Sequence, residues 1–230
     1  LPASLQAATV TLAVAANFTA TMKVLTDRFE MHSGHRTRIS YGSTGKLYTQ
    51  IINNAPFDLY LAADQKRPLL LEEKGLATGR FTYAIGRLVL WSKQAGLALD
   101  VTSLQQDDFQ RIAIANPKTA PYGVASQQVL RALGVEERLT SQLVYGDSIA
   151  QTYQFVATGN ADIGFVASAQ VTVGNDGSRW EIPGELHAPL HQDAVLLQRG
   201  KDNPAALSFI EFLNSDEARN IIRNHGYATH

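Results

Sequence analysis

Turns made mainly of small residues, with few charges, occur at four places where an apolar run gives way to a helical pattern. These four turns comprise residues 15–17, 42–45, 116–122 and 146–148. The first N–H groups of a helix have no intrahelical partner, and they lie at the positive end of the helix macrodipole. If the four turns meet at one cleft, they are suited to bind an anion.

The turns are rich in Ala, Asn, Ser, Thr and Gly, which donate hydrogen bonds through backbone N–H groups, hydroxyls or an amide. A site built from such donors favours an anion without a proton, such as sulfate, molybdate or tungstate. Hydrogen phosphate brings a proton that needs an acceptor, and a buried unpaired polar group costs about 1–3 kcal/mol. The same residue types also cap helices, so four ordinary caps without a ligand remain an alternative at this point.

Motifs for nucleotide binding or catalysis are poorly supported. A phosphate-binding loop has four residues between its glycines and Ser or Thr after the Lys, and the stretch Gly-Ser-Thr-Gly-Lys at 42–46 has neither. His187 and His191 have Pro189 between them, so they cannot share a regular helix face as zinc ligands. The chain has no Cys, which excludes disulfides, thiolate metal sites and Cys nucleophiles.

Strand and helix patterns alternate along most of the chain, which predicts an α/β fold with mainly parallel sheets. The first helix is expected to have Asn17 as its N-cap and to end at Gly34. The apolar run at 81–91 is longer than a typical strand and contains Gly86. This is expected of a strand that leaves one domain and enters another, and a second crossing is predicted near 190–193.

The two crossings divide the chain into two lobes. We predict a discontinuous first lobe of residues 8–85 and 192–230, with a second lobe of residues 86–191 inserted into it. Residues 1–7 are either the remnant of a secretory signal peptide or a tail. A signal-peptide remnant would indicate an exported protein.

Composition narrows the class of protein. The chain has 230 residues, 45% of them hydrophobic, and its 20 basic residues nearly balance its 21 acidic ones. This balance argues against nucleic-acid binding, which normally requires a basic stripe. The sequence contains no run of 18 apolar residues, so no membrane-spanning helix is predicted.

Several stretches point to one family when they are taken together and in order. They are 15–18, 42–45, 48–51, 62–64, 80–86, 88–92, 113–117, 120–123 and 159–166. In these stretches the chain resembles the periplasmic molybdate/tungstate-binding proteins of ABC transporters. The resemblance implies a type II, two-lobed periplasmic binding protein. Each lobe would be a mainly parallel sheet flanked by helices, and two crossover strands would join the lobes.

The function implied by this resemblance is that of a periplasmic, monomeric receptor rather than an enzyme. It would close over molybdate or tungstate and deliver the anion to an ABC permease. No cofactor is implied, because the metal is the centre of the ligand itself.

The resemblance also assigns ligand-binding positions to the four turns. Tyr122 would donate through its phenol or its backbone N–H, and Ile149 through its backbone N–H. No residue would ligate the metal directly; Asn17, Thr44, Tyr122 and Ile149 would reach it through the oxyanion. The complete set of positions is Ala16, Asn17, Ser43, Thr44, Tyr122 and Ile149.

Two residues depart from the branch of the family that this chain resembles most. Ala16 lacks the hydroxyl found there, which removes one side-chain hydrogen bond. Asp147 would bring a carboxylate close to a dianion, and we expect it to point to solvent or to cap the following helix. Ser148 and Gln151 have the spacing of a capping box.

Three other functions remain open. One is a binding protein for sulfate, phosphate or a related oxyanion, which would need a pocket of different size. Another is an enzyme on the same scaffold, a deaminase or a transferase, with Asp147 and Tyr122 as its acid–base pair. Asp147→Asn would abolish turnover in such an enzyme, whereas a binding protein would keep or gain affinity. The last is the effector domain of a regulator, but the sequence shows no DNA-binding segment.

Overall fold

The computed structural model describes residues 7–106, 109–171 and 177–230. Residues 1–6, which make up most of the predicted tail, lie outside this description. The described strands form two sheets of five strands each.

Strands and helices alternate along the chain. The strands are β1 (Thr9–Ala15), β2 (Arg36–Gly42), β3 (Leu59–Leu61), β4 (Ala77–Gly86), β5 (Leu88–Ser92), β6 (Ile112–Ala115), β7 (Leu143–Gly146), β8 (Ile163–Ala167), β9 (Ser178–Glu181) and β10 (Leu190–Leu197). The α-helices are α1 (Thr19–Ser33), α2 (Thr44–Ile52), α3 (Lys66–Glu73), α4 (Val101–Gln105), α5 (Pro121–Ala132), α6 (Glu136–Leu139), α7 (Ile149–Ala157), α8 (Ser168–Val171), α9 (Pro204–Leu213) and α10 (Asp216–Asn224).

Each sheet has four strands in one direction and one strand reversed. The first sheet has the order β2-β1-β3-β10-β4. Its β1 is parallel to β2 and β3, whereas β10 is antiparallel to β3 and β4. The second sheet, β7-β6-β8-β5-β9, repeats this arrangement with β5 reversed. The predicted α/β fold with two lobes is therefore confirmed.

The two lobes are joined where strands pass from one sheet to the other. β4 ends at Gly86 in the first sheet, and β5 begins at Leu88 in the second. The chain returns at Leu190, which begins β10 and pairs with Gly86. The crossings thus lie side by side, and we call residues 86–88 and 188–190 the hinge. These strand ends support the predicted limits of the lobes, near residues 86 and 191. The exact limits stay a prediction.

Strand register places the four turns next to one another in pairs. Ala15, at the end of β1, pairs with Gly42 at the end of β2. Ala115, at the end of β6, pairs with Gly146 at the end of β7. Neighbouring parallel strands end at the same edge of a sheet, so each lobe presents two turns from one edge.

Apolar side chains of the helices pack against the sheets. In the first lobe, Phe18, Met22, Leu25 and Phe29 are four, three and four residues apart and form one buried face. Gly34 ends α1 with a positive φ of 70°, a conformation that glycine adopts without strain. Among the described residues, no helix has both the length and the apolar character needed to cross a membrane.

Candidate functional site

Residues of the first three turns, and Ile149 directly after the fourth, line one cavity between the lobes. The cavity is small. The centre of a water molecule can move within about 10 Å³ of it, which is enough for one water molecule or small ion. All six predicted ligand positions line this cavity, and no lining residue in the described part of the chain is charged. The lining residues are Ala15, Ala16, Asn17, Gly42, Ser43, Thr44, Ala63, Ala120, Pro121, Tyr122 and Ile149.

The first turn places Ala16 and Asn17 at the cavity. Ala16 and Asn17 lie in a single turn of 3-10 helix that precedes α1. The prediction that Asn17 caps the first helix is wrong, because its side chain makes no capping bond. Its Nδ2 donates instead to Gln192 Oε1 at 2.9 Å and to Tyr227 Oη at 3.0 Å. Both amide hydrogens are thereby used within the protein.

The second turn supplies two buried hydroxyls. Thr44 Oγ1 accepts a hydrogen bond from the Ala63 N–H at 3.0 Å, which leaves its own hydrogen free to donate. Ser43 Oγ is buried and has no hydrogen-bond partner among the described residues. A buried polar group without a partner costs about 1–3 kcal/mol, so a bound acceptor would relieve this cost.

In the third turn, the backbone N–H and the phenol of Tyr122 lie at different places. Tyr122 is the second residue of α5, after Pro121, so its N–H has no partner within the helix. Its phenol lies at the hinge, where Oη accepts from Gln192 Nε2 at 3.2 Å. Burial raises the pKa of the Tyr122 phenol well above its usual value, so it stays neutral near pH 7. The backbone N–H of Tyr122 lies at the start of α5, on a residue that lines the cavity.

The fourth turn ends in a capped helix that begins at Ile149. Ser148 Oγ accepts from the Gln151 N–H at 3.3 Å, which confirms one half of the predicted capping box. The other half is wrong, because Gln151 Oε1 accepts from the N–H of Asp147 at 2.6 Å. Ile149 is the first helical residue, so its N–H lies at the free end of the helix.

Asp147 forms an ion pair across the cleft. Its side chain is exposed to solvent, as predicted, but the ion pair was not predicted: its Oδ2 lies 2.8 Å from Lys46 Nζ. Lys46 belongs to the first lobe and follows the second turn, so this pair joins the two lobes. The two side chains are 52% and 70% exposed. The pair thus lies at the surface of the cleft rather than in the cavity.

Two hydrogen bonds to backbone carbonyls also join the lobes. The Gly45 N–H donates to the Thr119 carbonyl at 2.8 Å. Arg67 Nη2 donates to the Lys118 carbonyl at 3.2 Å, and Arg67 is itself paired with Asp64. These contacts connect α2 and α3 to the third turn, so the protein is in a closed form.

The cavity lacks the groups that the enzyme alternative requires. Tyr122 Oη is buried beside Gln192, whereas the Asp147 carboxylate lies at the surface beside Lys46. The acid–base pair considered from the sequence is therefore not assembled. Within the described ranges, no three His, Asp or Glu side chains are grouped to hold a metal ion.

Two lobes closed over one small cavity define a solute-binding protein. The chain belongs to the family of bacterial extracellular solute-binding proteins, which it matches over residues 10–228. It is 50% identical to the molybdate-binding protein ModA of Azotobacter vinelandii, over 99% of this chain and 92% of that protein. It is 46% identical to ModA of Rhodobacter capsulatus, over 100% of this chain and 91% of that protein.

A solved structure gives the same result. The periplasmic molybdate-binding protein of Azotobacter vinelandii superposes with a TM-score of 0.92 at 38% identity, over 96% of this chain and 99% of that one. The resemblance found in the sequence is thus confirmed. These relatives are named as binding proteins and not as enzymes, in agreement with the prediction.

Two residues that support the site were not identified from the sequence. The sequence gives a weak signal for Gln192, since Gln192 and Asp193 are polar residues directly before the apolar half of a strand. The sequence gives no signal for Tyr227, because this residue lies 210 residues from Asn17, whose amide it contacts.

We expect Lys46→Ala to weaken ligand binding about two- to fivefold at low salt, because exposed ion pairs contribute little. Asp147→Asn should keep or gain affinity, because the removal of a negative charge near the anion offsets the loss of the ion pair. Both differences should vanish at high ionic strength, where exposed charges are screened. Calorimetry at two salt concentrations measures these effects. Equal affinities of wild type and Lys46→Ala at low salt would show that the pair does not hold the lobes together.

Proposed function

We propose that this chain is an extracytoplasmic receptor that binds a tetrahedral oxyanion, molybdate or tungstate, and presents it to an ABC permease. The observation that carries the proposal is the closed cavity, which is lined by neutral residues of the first three turns and by Ile149 after the fourth. The relatives named as molybdate-binding proteins support the choice of anion.

The size of the cavity favours a small inorganic ion. About 10 Å³ open to water centres leaves no room for an amino acid, a sugar or a peptide. A tetrahedral ion presents oxygens in four directions, and the turns approach from both lobes. Each lobe therefore contributes donors, and a ligand bound to both favours the closed form through a hinge motion.

The available donors are backbone N–H groups and hydroxyls. We assign the N–H groups of Asn17, Tyr122 and Ile149 and the hydroxyls of Ser43 and Thr44 to the anion, with the N–H of Ala16 as a further donor. Hydrogen bonds to a charged group contribute about 1.5–3 kcal/mol each. Several of them together offset the loss of ligand hydration and of translational freedom.

The same donor set selects against anions that carry a proton. The described cavity lining contains no carboxylate, so the proton of hydrogen phosphate would have no strong acceptor. Fully deprotonated dianions avoid this penalty of about 1–3 kcal/mol. Size then separates sulfate from molybdate and tungstate, whose metal–oxygen bonds are longer than the sulfur–oxygen bond.

Location and assembly form the less direct part of the proposal. A periplasmic location is supported by the relative whose structure is named as periplasmic. A monomeric state remains a prediction from the sequence, which analytical ultracentrifugation would check. The metal is part of the ligand, so no resident cofactor is proposed.

Calorimetry with molybdate, tungstate, sulfate and phosphate tests the proposal. We expect molybdate and tungstate to bind at least about tenfold more tightly than phosphate, which corresponds to the cost of one unpaired buried group. Sulfate should bind more weakly than molybdate. Tighter binding of sulfate or phosphate would assign the chain to another oxyanion, and the absence of heat with all four anions would overturn the proposal.

A further inference from the structure

Strand β10 carries two buried polar residues in succession, Gln192 and Asp193, both with no exposed surface. The pairing of β10 with β4 shifts register between them, as at a β-bulge, which redirects side chains. Asp193 accepts hydrogen bonds from Arg80, Thr82 and Gln65, which all belong to the first lobe. Gln192 enters a different network, which crosses between the lobes.

Gln192 contacts residues from both lobes through the two ends of its amide. Its Oε1 accepts from Asn17 Nδ2 at 2.9 Å and from Tyr83 Oη at 3.1 Å. Its Nε2 donates to Tyr122 Oη at 3.2 Å. Asn17 and Tyr83 lie in the first lobe, whereas Tyr122 lies in the second. One side chain therefore links the first turn to the third turn.

On the first-lobe side, this network fixes the turn that contains Asn17. Tyr227 Oη donates to the Asn17 carbonyl at 2.8 Å and accepts from Asn17 Nδ2 at 3.0 Å. With Gln192 as the second acceptor, the Asn17 amide is held at both of its hydrogens. The side chain thus sets the orientation of the turn, and the backbone N–H groups of the turn remain for the anion.

On the second-lobe side, the Tyr122 phenol fills a space that the hinge leaves open. A Cβ on Gly86 would lie 2.1 Å from Tyr122 Oη and 2.7 Å from Gln192 Nε2. Such distances are far below van der Waals contact, so the phenol fits here because residue 86 is glycine. The closing motion of the second lobe therefore ends at a defined position, where Tyr122 Oη contacts Gln192 Nε2 beside the hinge.

We infer that Gln192 is a positioning residue for closure: it holds the Asn17 turn and receives the Tyr122 phenol, which brings the N–H groups of both turns to the same anion. This inference rests on the proposed function. In an open form the phenol leaves with the second lobe, and Gln192 Nε2 loses its acceptor. The hydrogen bond thus belongs to the closed form, and its loss should speed ligand release.

The test compares Tyr122→Phe, Gln192→Met and the double variant with wild type, using sodium molybdate. We expect each single variant to bind about tenfold more weakly, mainly through faster dissociation, because a buried partner loses its hydrogen bond. The double variant should be no weaker than the weaker single variant, since both remove the same interaction. Calorimetry and stopped-flow displacement measure affinity and dissociation rate.

Thr82→Val is the matched control. It removes a hydroxyl that donates to the neighbouring Asp193 at 2.6 Å, within the first lobe. We expect it to lower the melting temperature of the ligand-free protein while the dissociation rate of molybdate stays that of wild type. If Gln192 had only a structural role, Gln192→Met would likewise lower the melting temperature and leave the dissociation rate unchanged. That result would overturn the inference.

The outcomes separate this inference from the proposed function. If wild type fails to bind molybdate, the proposed function fails first. If wild type binds and Tyr122→Phe releases molybdate at the wild-type rate, the inference about Gln192 is wrong and the proposed function stands. Tyr122→Phe decides the question if Gln192→Met does not fold, because it preserves the ring and removes one oxygen.

Discussion

Gly45→Ala is expected to weaken molybdate binding while the ligand-free protein becomes no less stable. Gly45 lies in the first turn of α2 and donates its N–H to the Thr119 carbonyl of the other lobe at 2.8 Å. A Cβ at this position would lie 2.9 Å from the Thr119 Cα and 3.1 Å from its carbonyl oxygen. These are backbone atoms, which cannot move aside as the end of a side chain can.

The clash with Thr119 exists only when the lobes are closed, so its cost falls on the ligand-bound form. Arg67 Nη2, which would lie 3.1 Å from the new Cβ in the same lobe, is the end of a flexible side chain that can move aside. Overpacking costs about 1–3 kcal/mol, so we expect the affinity to fall roughly 10- to 100-fold. The open form has no such clash, and Ala favours a helix over Gly by up to about 1 kcal/mol. The melting temperature without ligand should therefore stay the same or rise.

Calorimetry and thermal melting, with Gly184→Ala as the control, test this prediction. A Cβ at Gly184 meets no atom within 4 Å, so this substitution should change neither quantity. Small-angle scattering with saturating molybdate should show a larger radius of gyration for Gly45→Ala than for wild type. Wild-type affinity in Gly45→Ala would mean that the lobes do not approach this closely when the ligand is bound.

The sequence predicts the positions of the four turns because the relevant physics is local. A helix that follows an apolar strand exposes N–H groups wherever it occurs, and the residue types of the turn mark its start. This signal together with the resemblance selects Ser43, Thr44 and Ile149, which line the cavity. The alternating strand and helix patterns predict the α/β fold for the same reason.

The partners of the side chains could not be predicted, because tertiary packing decides them. Asn17 has the residue type of an N-cap, but its amide bonds to Gln192, which lies 175 residues away. Asp147 pairs with Lys46 at a separation of 101 residues, and local pattern contains no information about that distance. In both cases a contact made by the closing or folding of the lobes displaced the local interaction that residue type favours.

Ser43→Ala is expected to weaken molybdate binding roughly 10- to 100-fold, since a hydrogen bond to a charged group contributes about 1.5–3 kcal/mol. Ser43 Oγ is buried at the cavity and has no partner among the described residues. Because an unpaired hydroxyl is costly when buried, its removal should also raise the free energy of unfolding of the ligand-free protein. Affinity and stability should thus change in opposite directions.

Thr21→Val is the matched control for this prediction. Thr21 Oγ1 is likewise buried without a partner in the described chain, but Thr21 lies in α1, outside the cavity lining. Its replacement should stabilise the ligand-free protein and leave the affinity for molybdate unchanged. Calorimetry together with chemical denaturation measures both quantities. If Ser43→Ala behaves like Thr21→Val, the Ser43 hydroxyl does not contact the anion, and the second turn binds through Thr44 and its backbone.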